Sequence, residues 1–204
     1  MRRGVLAARN ANHPPKGAAL KVEPIRELAA IARIKALLEG APRDYCFFVL
    51  GINSAYRATE LLSIKVGQVQ TLRCGDRFDL KQSKNHRYRA ITVNGSVVEA
   101  LSRCLAWHPT GEAHAPLFLS QKTRQALKVS TMSTKVKGWC AEVGLHGQYG
   151  SHSLRKTWGY HQRKTFGKPL SLLTRAFGHA SEAQTLEYLC IQPEEMEELY
   201  AGAL

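Results

Sequence analysis

Tyr188 closes a run of residue types that together can handle a phosphodiester. Upstream lies Gly150-Ser151-His152-Ser153-Leu154-Arg155, in which a three-residue gap places His152 and Arg155 side by side on one helix face. Phe177-Gly178-His179 follows, then Thr185, then Tyr188, nine residues beyond His179. Cutting DNA without water as the nucleophile needs an attacking hydroxyl, positive groups around a pentavalent phosphate, and an acid for the departing 5′ oxygen. Such phosphoryl transfer is mostly positioning and electrostatics. Arginine suits it because a planar fork that stays charged grips two phosphate oxygens. Besides Arg155, the chain offers Arg57 in Tyr56-Arg57-Ala58-Thr59-Glu60-Leu61-Leu62.

The charge of the chain points the same way. Lys and Arg total 29 against 16 Asp and Glu, a net charge of +13 with a pI near 9.8. That excess favours a polyanion over a small neutral substrate. It is also concentrated. Between Ser120 and Arg175 stand eleven Lys or Arg and the single acid Glu142, whereas six glutamates and no base follow Arg175. A concentrated basic stretch contacts several phosphates and makes binding strong and salt-dependent; its ordinary alternative is a solvated basic face.

The elements that must position these groups read as mainly helical with one small antiparallel sheet, an α+β class. With 204 residues and 44% apolar content the chain holds one well-formed core. Residues 1–22, with Arg2, Arg3, Arg9, Lys16 and Pro14-Pro15, suit a flexible basic arm, and residues 23–204 form the domain. Helical spacing runs from Pro24 to Gly40, again through APRDYCFFVLGIN, and briefly through AYRATELLSI. From Gln70 to Val93 polar and apolar residues alternate around a turn-like centre at Ser83 to His86, a basic hairpin. Asn94 can cap GSVVEALSRCLAW, and Thr131 or Ser133 can start a helix through Glu142. HSLRKTWGYHQRKTF, PLSLLTRAFG, SEAQTLEYL and PEEMEELYAG give further helices.

No apolar run approaches the about 18–20 residues of a membrane span, and the start lacks a signal-peptide core. A soluble, cytoplasmic protein with no membrane partner is expected. The five cysteines have no CxxC or CxxH spacing, so no metal site is expected.

HxxR, then Gly-His, then a tyrosine nine residues on, closely resembles the tyrosine recombinase (phage integrase) family. Arg57 with Glu60 three residues on resembles its first arginine motif. Lys84, five residues before Arg89, stands where the family carries a lysine on a β-hairpin. The resemblance runs from about Val22 to the C-terminus and implies the catalytic-domain fold of that family. It also implies roles. Tyr188 attacks the scissile phosphate and leaves a 3′-phosphotyrosyl link; Arg57 and Arg155 hold the non-bridging oxygens; His152 assists proton transfer or phosphate contact. Lys84 is the acid for the 5′ oxygen, a role open also to Lys81 or Arg87, and His179 stabilises the phosphate. Glu60 orients Arg57 or a neighbour. Lys81, Arg87, Arg89 and Lys156 are expected to contact DNA. Neither ATP nor any other cofactor is needed, since the covalent link stores the bond energy.

The implied function is site-specific recombination: integration, excision or inversion, on double-stranded DNA, as a tetramer, with accessory DNA-bending proteins as further partners. Asn53-Ser54-Ala55-Tyr56 replaces the family's usual small pair before the first arginine. Residues 1–22 are too few for the family's N-terminal core-binding domain, so the chain is expected to be a stand-alone member like the small fimbrial-switch invertases or a fragment of a longer protein. Type IB topoisomerase activity uses nearly the same residues, and a DNA-binding regulator that does not cut is the alternative from another class. Tyr200, in the acidic segment after Pro193, competes with Tyr188 but lacks the Gly-His spacing.

Overall fold

Cys46-Phe47-Phe48-Val49-Leu50 is an uncharged run in which every side chain is fully buried, and it organises the core. In the computed structural model, which describes residues 22–81 and 88–191, it forms the middle of α2 (Pro42–Ile52), preceded by α1 (Leu28–Leu37). The chain continues through α3 (Ala58–Leu62), a single 3-10 turn (Val66–Gln68), β1 (Arg77–Lys81), β2 (Tyr88–Thr92) and α4 (Gly95–Trp107). It ends in α5 (Val129–Glu142), α6 (Ser151–Lys164), α7 (Leu170–Phe177) and α8 (Glu182–Leu189). The mainly helical fold with one small antiparallel sheet is as the sequence predicts.

Because α2 is apolar all round, it must be covered on several sides, and α4 and α6 pack directly on it. The sheet is a two-stranded antiparallel ladder with Phe78 opposite Ile91 and Leu80 opposite Arg89. Phe78 and Leu80 point into the core. The expected turn at Ser83 to His86 lies outside the described residues, as do the basic arm and the segment from Pro193 onward.

Three helix starts differ from expectation. The first helix begins at Leu28 rather than Pro24, because Ile25 is drawn out as a buried strap: its N–H donates to Thr157 Oγ1 (2.8 Å) and its carbonyl accepts from His161 Nε2 (3.0 Å). The third helix starts only at Ala58. Before it, the Tyr56 hydroxyl sits 2.6 Å from Phe78 O and 3.0 Å from Arg89 O, which pins an extended segment to the sheet. The fifth starts at Val129 after Lys128, not at Thr131 or Ser133. Ser133 instead bonds Ser151 Oγ (2.8 Å) and ties α5 to the start of α6. Asn94 caps α4 as predicted, accepting from Val97 N at 3.0 Å.

A second, smaller apolar cluster carries the chain's C-terminal helices. Ala55, Leu173, Phe177 and Leu189 are buried together, with Trp158 and Tyr188 packed against them. Gly159 makes this approach possible, since any Cβ there would run into the Phe177 ring and Leu189. Among the described residues no helix is long and apolar enough to cross a membrane.

Candidate active site

Arg57 sits at the N-cap of α3, and Glu60 at the third helical position turns back on it. The Arg57 N–H donates to Glu60 Oε2 (2.8 Å) and Nη1 to Oε1 (2.9 Å), one half of a capping box plus an ion pair. Glu60 is 1% exposed. A buried carboxylate needs more than one partner, and the second is Arg89 Nη1, 3.4 Å from Oε2. Glu60 thus contacts both Arg57 and Arg89.

Arg155 lies on α6, 3% exposed, under the ring of Phe177 (4.7 Å) and beside that of Tyr188 (5.6 Å). Its Nε donates to Ala55 O and its Nη2 to Phe177 O at 3.1 Å, leaving Nη1 outside these bonds. Arg89 reaches the same two carbonyls, Nη1 to Ala55 O (2.8 Å) and Nη2 to Phe177 O (3.1 Å). Two guanidiniums are thereby held mainly by main-chain oxygens, and Phe177, last residue of α7, adds the negative end of a helix dipole. Burial lowers both arginines from their ordinary range, and the charge of Arg155 helps bring Arg89 to about 10.

His152 stands in the first turn of α6 and remains exposed. Partial loss of water around its ring, then Arg155 and Arg57, pull it below the ordinary imidazole range. His179 follows Gly178, whose left-handed φ of 68° ends α7 and turns the chain back. Its ring stacks on Phe177 (5.1 Å) and meets Tyr188 edge-on (4.9 Å), with Nδ1 3.0 Å from Thr185 Oγ1. Burial, then Arg155, Arg57 and Arg89, take it down to about 4.

Tyr188 occupies the last turn of α8. Its hydroxyl is buried and meets no partner at good hydrogen-bond geometry among the described residues, with the Arg155 guanidinium as the donor beside it. Burial raises its pKa, and Arg155, Arg57 and Arg89 pull it back down. The charges of Arg57 and Arg155 thus bear on His152, His179 and Tyr188 alike, so five of the six predicted catalytic residues lie in one neighbourhood. The sixth, Lys84, lies outside the described residues, as does Arg87. Lys81, at the end of β1, is exposed.

Two predicted DNA contacts are corrected. Arg89 is 8% exposed and committed to Glu60, Ala55 and Phe177. Lys156 is 5% exposed, its ammonium donating to Cys190 Sγ (3.4 Å) and lying 4.9 Å from the Tyr188 ring centroid. Both charges sit beneath the site rather than on a DNA-facing surface. Phe177 is the residue that the sequence reading passed over. A buried aromatic just before Gly-His is its only signal there, yet its ring supports Arg155, His179 and Tyr188 together.

Comparison with known proteins places the chain in a family and a fold. Residues 20–195 match the phage integrase family model. A probable integrase/recombinase of Bacillus subtilis, YoeC, is 31% identical over 175 residues, 85% of this chain and 92% of that protein. The crystal structure of XerA recombinase superposes with a TM-score of 0.70 at 20% identity, covering 88% of this chain and 65% of that one. The XerH site-specific recombinase, bound to a palindromic difH substrate in a post-cleavage complex, superposes with a TM-score of 0.67 at 19% identity, covering 89% and 53%. The chain therefore spans less than two thirds of either solved structure but nearly all of the Bacillus relative. By family match and by that relative, the chain belongs to the phage integrase family, the tyrosine recombinases.

Proposed function

We propose that this protein cleaves and rejoins DNA strands through Tyr188 as a site-specific recombinase. The observation that carries the reading is the Tyr188 hydroxyl, buried against the Arg155 guanidinium in the field of Arg57 and Arg155. A phenol buried among guanidiniums sits where its oxyanion and a phosphate would both be stabilised, an arrangement that function explains and packing does not.

In the proposed reaction the Tyr188 oxygen attacks the scissile phosphorus and the bond to the 5′ oxygen breaks. The phenolic proton leaves through His152 or solvent, and the 5′ oxygen takes a proton from Lys84. The product is a 3′-phosphotyrosyl link and a free 5′-hydroxyl, and attack by another strand's 5′-hydroxyl reverses the step. Arg57 and Arg155 offset the charge that grows on the non-bridging oxygens, and His179 contacts the same phosphate. Because the link conserves the bond energy, rejoining draws on no nucleotide.

The hydroxyl is withdrawn from solvent, so α8 must shift to bring it to a phosphate. A small apolar cluster and a few hydrogen bonds, at Thr185 and Cys190, hold that helix, so its movement is a local event rather than a rearrangement of the main core. Double-stranded DNA as partner is supported by the basic stretch and by the XerH likeness; a tetramer and accessory DNA-bending proteins belong to the same reading. Incubation with nicked duplexes, resolved on a denaturing gel, tests it. Protein joined to a DNA 3′ end in the wild type and absent in Tyr188→Phe is the expected result. DNA binding with no adduct on any substrate favours the non-cleaving regulator.

A further inference from the structure

Stacking on Phe177 and the edge contact with Tyr188 fix the plane of the His179 ring, but they do not decide which nitrogen carries its proton. Only a hydrogen bond can do that. Nδ1 is 3.0 Å from Thr185 Oγ1. Thr185 is fully buried, and its oxygen is also 2.9 Å from Thr174 Oγ1 and 3.2 Å from Ser181 O. Thr174 Oγ1 in turn lies 3.0 Å from Leu170 O.

A hydroxyl has one hydrogen, so this chain can be filled in few ways. If Thr174 donates to Leu170 O, Thr185 to Thr174, and Nδ1–H to Thr185, three of the four contacts hold a hydrogen and only the one to Ser181 O is empty. In the reverse order, Thr174 to Thr185 to Nδ1, the Leu170 contact goes empty. Letting Thr185 donate to Ser181 O, with Thr174 and Nδ1–H both donating to Thr185, also fills three contacts and leaves only the one to Leu170 O empty. Every filling with three bonds has Nδ1 as donor, an accepting Nδ1 allows two at most, and burial keeps water from replacing a missing one.

The geometry points to Thr185, backed by Thr174, as a positioning residue that sets the tautomer of His179: in the DNA-free protein Nδ1 is the donor and Nε2 is an acceptor. Thr185 accepts from Nδ1 in the neutral ring and in the imidazolium alike, so the ring keeps its anchor when Nε2 gains a proton from water beside an anion. Its use in catalysis rests on the reading that His179 meets the scissile phosphate.

Nitrogen-15 correlation spectra of the imidazole side chains, recorded on the DNA-free protein at neutral pH, test the assignment. His179 should carry its proton on Nδ1 in the wild type and in Thr185→Ser, and lose that preference in Thr185→Val. With nicked duplex, the rate of adduct formation should fall about five- to ten-fold in Thr185→Val, the worth of one hydrogen bond, and recover in Thr185→Ser. A wild-type proton on Nε2, or an unchanged tautomer in Thr185→Val, overturns the inference. The wild-type spectrum decides even where the valine variant does not fold. Absence of adduct in every protein, wild type included, counts against Tyr188 cleavage and leaves the tautomer result standing.

Discussion

Arg89 and Arg155 donate to the same two main-chain oxygens, those of Ala55 and Phe177, although 66 residues of chain separate them. The pair joins β2 to α6 through the ends of two other segments, and it places two positive charges beneath Tyr188 with Glu60 as their nearby acid.

Arg89→Lys keeps the charge and loses the fork. Stability should fall by about 2 kcal/mol, read as a lower urea midpoint, because one ammonium cannot replace bonds to Ala55, Phe177 and Glu60 together. An unchanged midpoint with weaker DNA affinity and a shallower salt dependence would instead mark Arg89 as a phosphate contact.

Glu60→Gln preserves shape and removes the acid between Arg57 and Arg89. Uncompensated buried cations should cost about 3 kcal/mol of stability, and adduct formation should slow because Arg57 loses its anchor. Equilibrium denaturation and single-turnover cleavage check the two effects separately. A variant as stable and fast as the wild type contradicts the assigned geometry.

His179 titrates near 4 in the folded protein against about 6.5 for free imidazole. Between those values the unfolded chain binds a proton that the folded chain does not, so stability falls as pH drops through that window and is fully present above it. His152 is lowered too and adds to the same slope. His179→Gln should flatten the dependence of the urea midpoint on pH between about 4 and 6.5. Parallel curves for variant and wild type contradict this.

Gly159→Ala forces a methyl against Phe177 and Leu189. Overpacking there should cost about 1–3 kcal/mol, and the displaced Phe177 ring should carry the catalytic pocket with it. Thermal unfolding together with adduct formation checks this; loss of stability with cleavage untouched would separate the ring from the site.

What was legible in the sequence was what local chemistry determines. Asn94 caps α4, and Gly178 ends α7 in the left-handed region, because caps and glycine turns depend on neighbours only a few residues away. HxxR and the Gly-His-to-tyrosine interval were legible for the same reason. Arg89 and Lys156 were misread because their partners are distant: Ala55 O and Phe177 O are main-chain atoms that any residue could supply, and Cys190 Sγ is 34 residues from Lys156. Charge in a sequence reads as surface until the fold supplies acceptors. The late start of α1 has a like cause, since Ile25 answers to Thr157 and His161 on α6.

The most direct test of the central claim is mass spectrometry of the DNA-linked protein. No Lys or Arg follows Arg175, so trypsin releases one peptide from Ala176 to the end carrying both Tyr188 and Tyr200. After nuclease digestion, fragmentation of that peptide should place a residual nucleotide on Tyr188. A nucleotide on Tyr200, or on a serine or histidine elsewhere, contradicts the account.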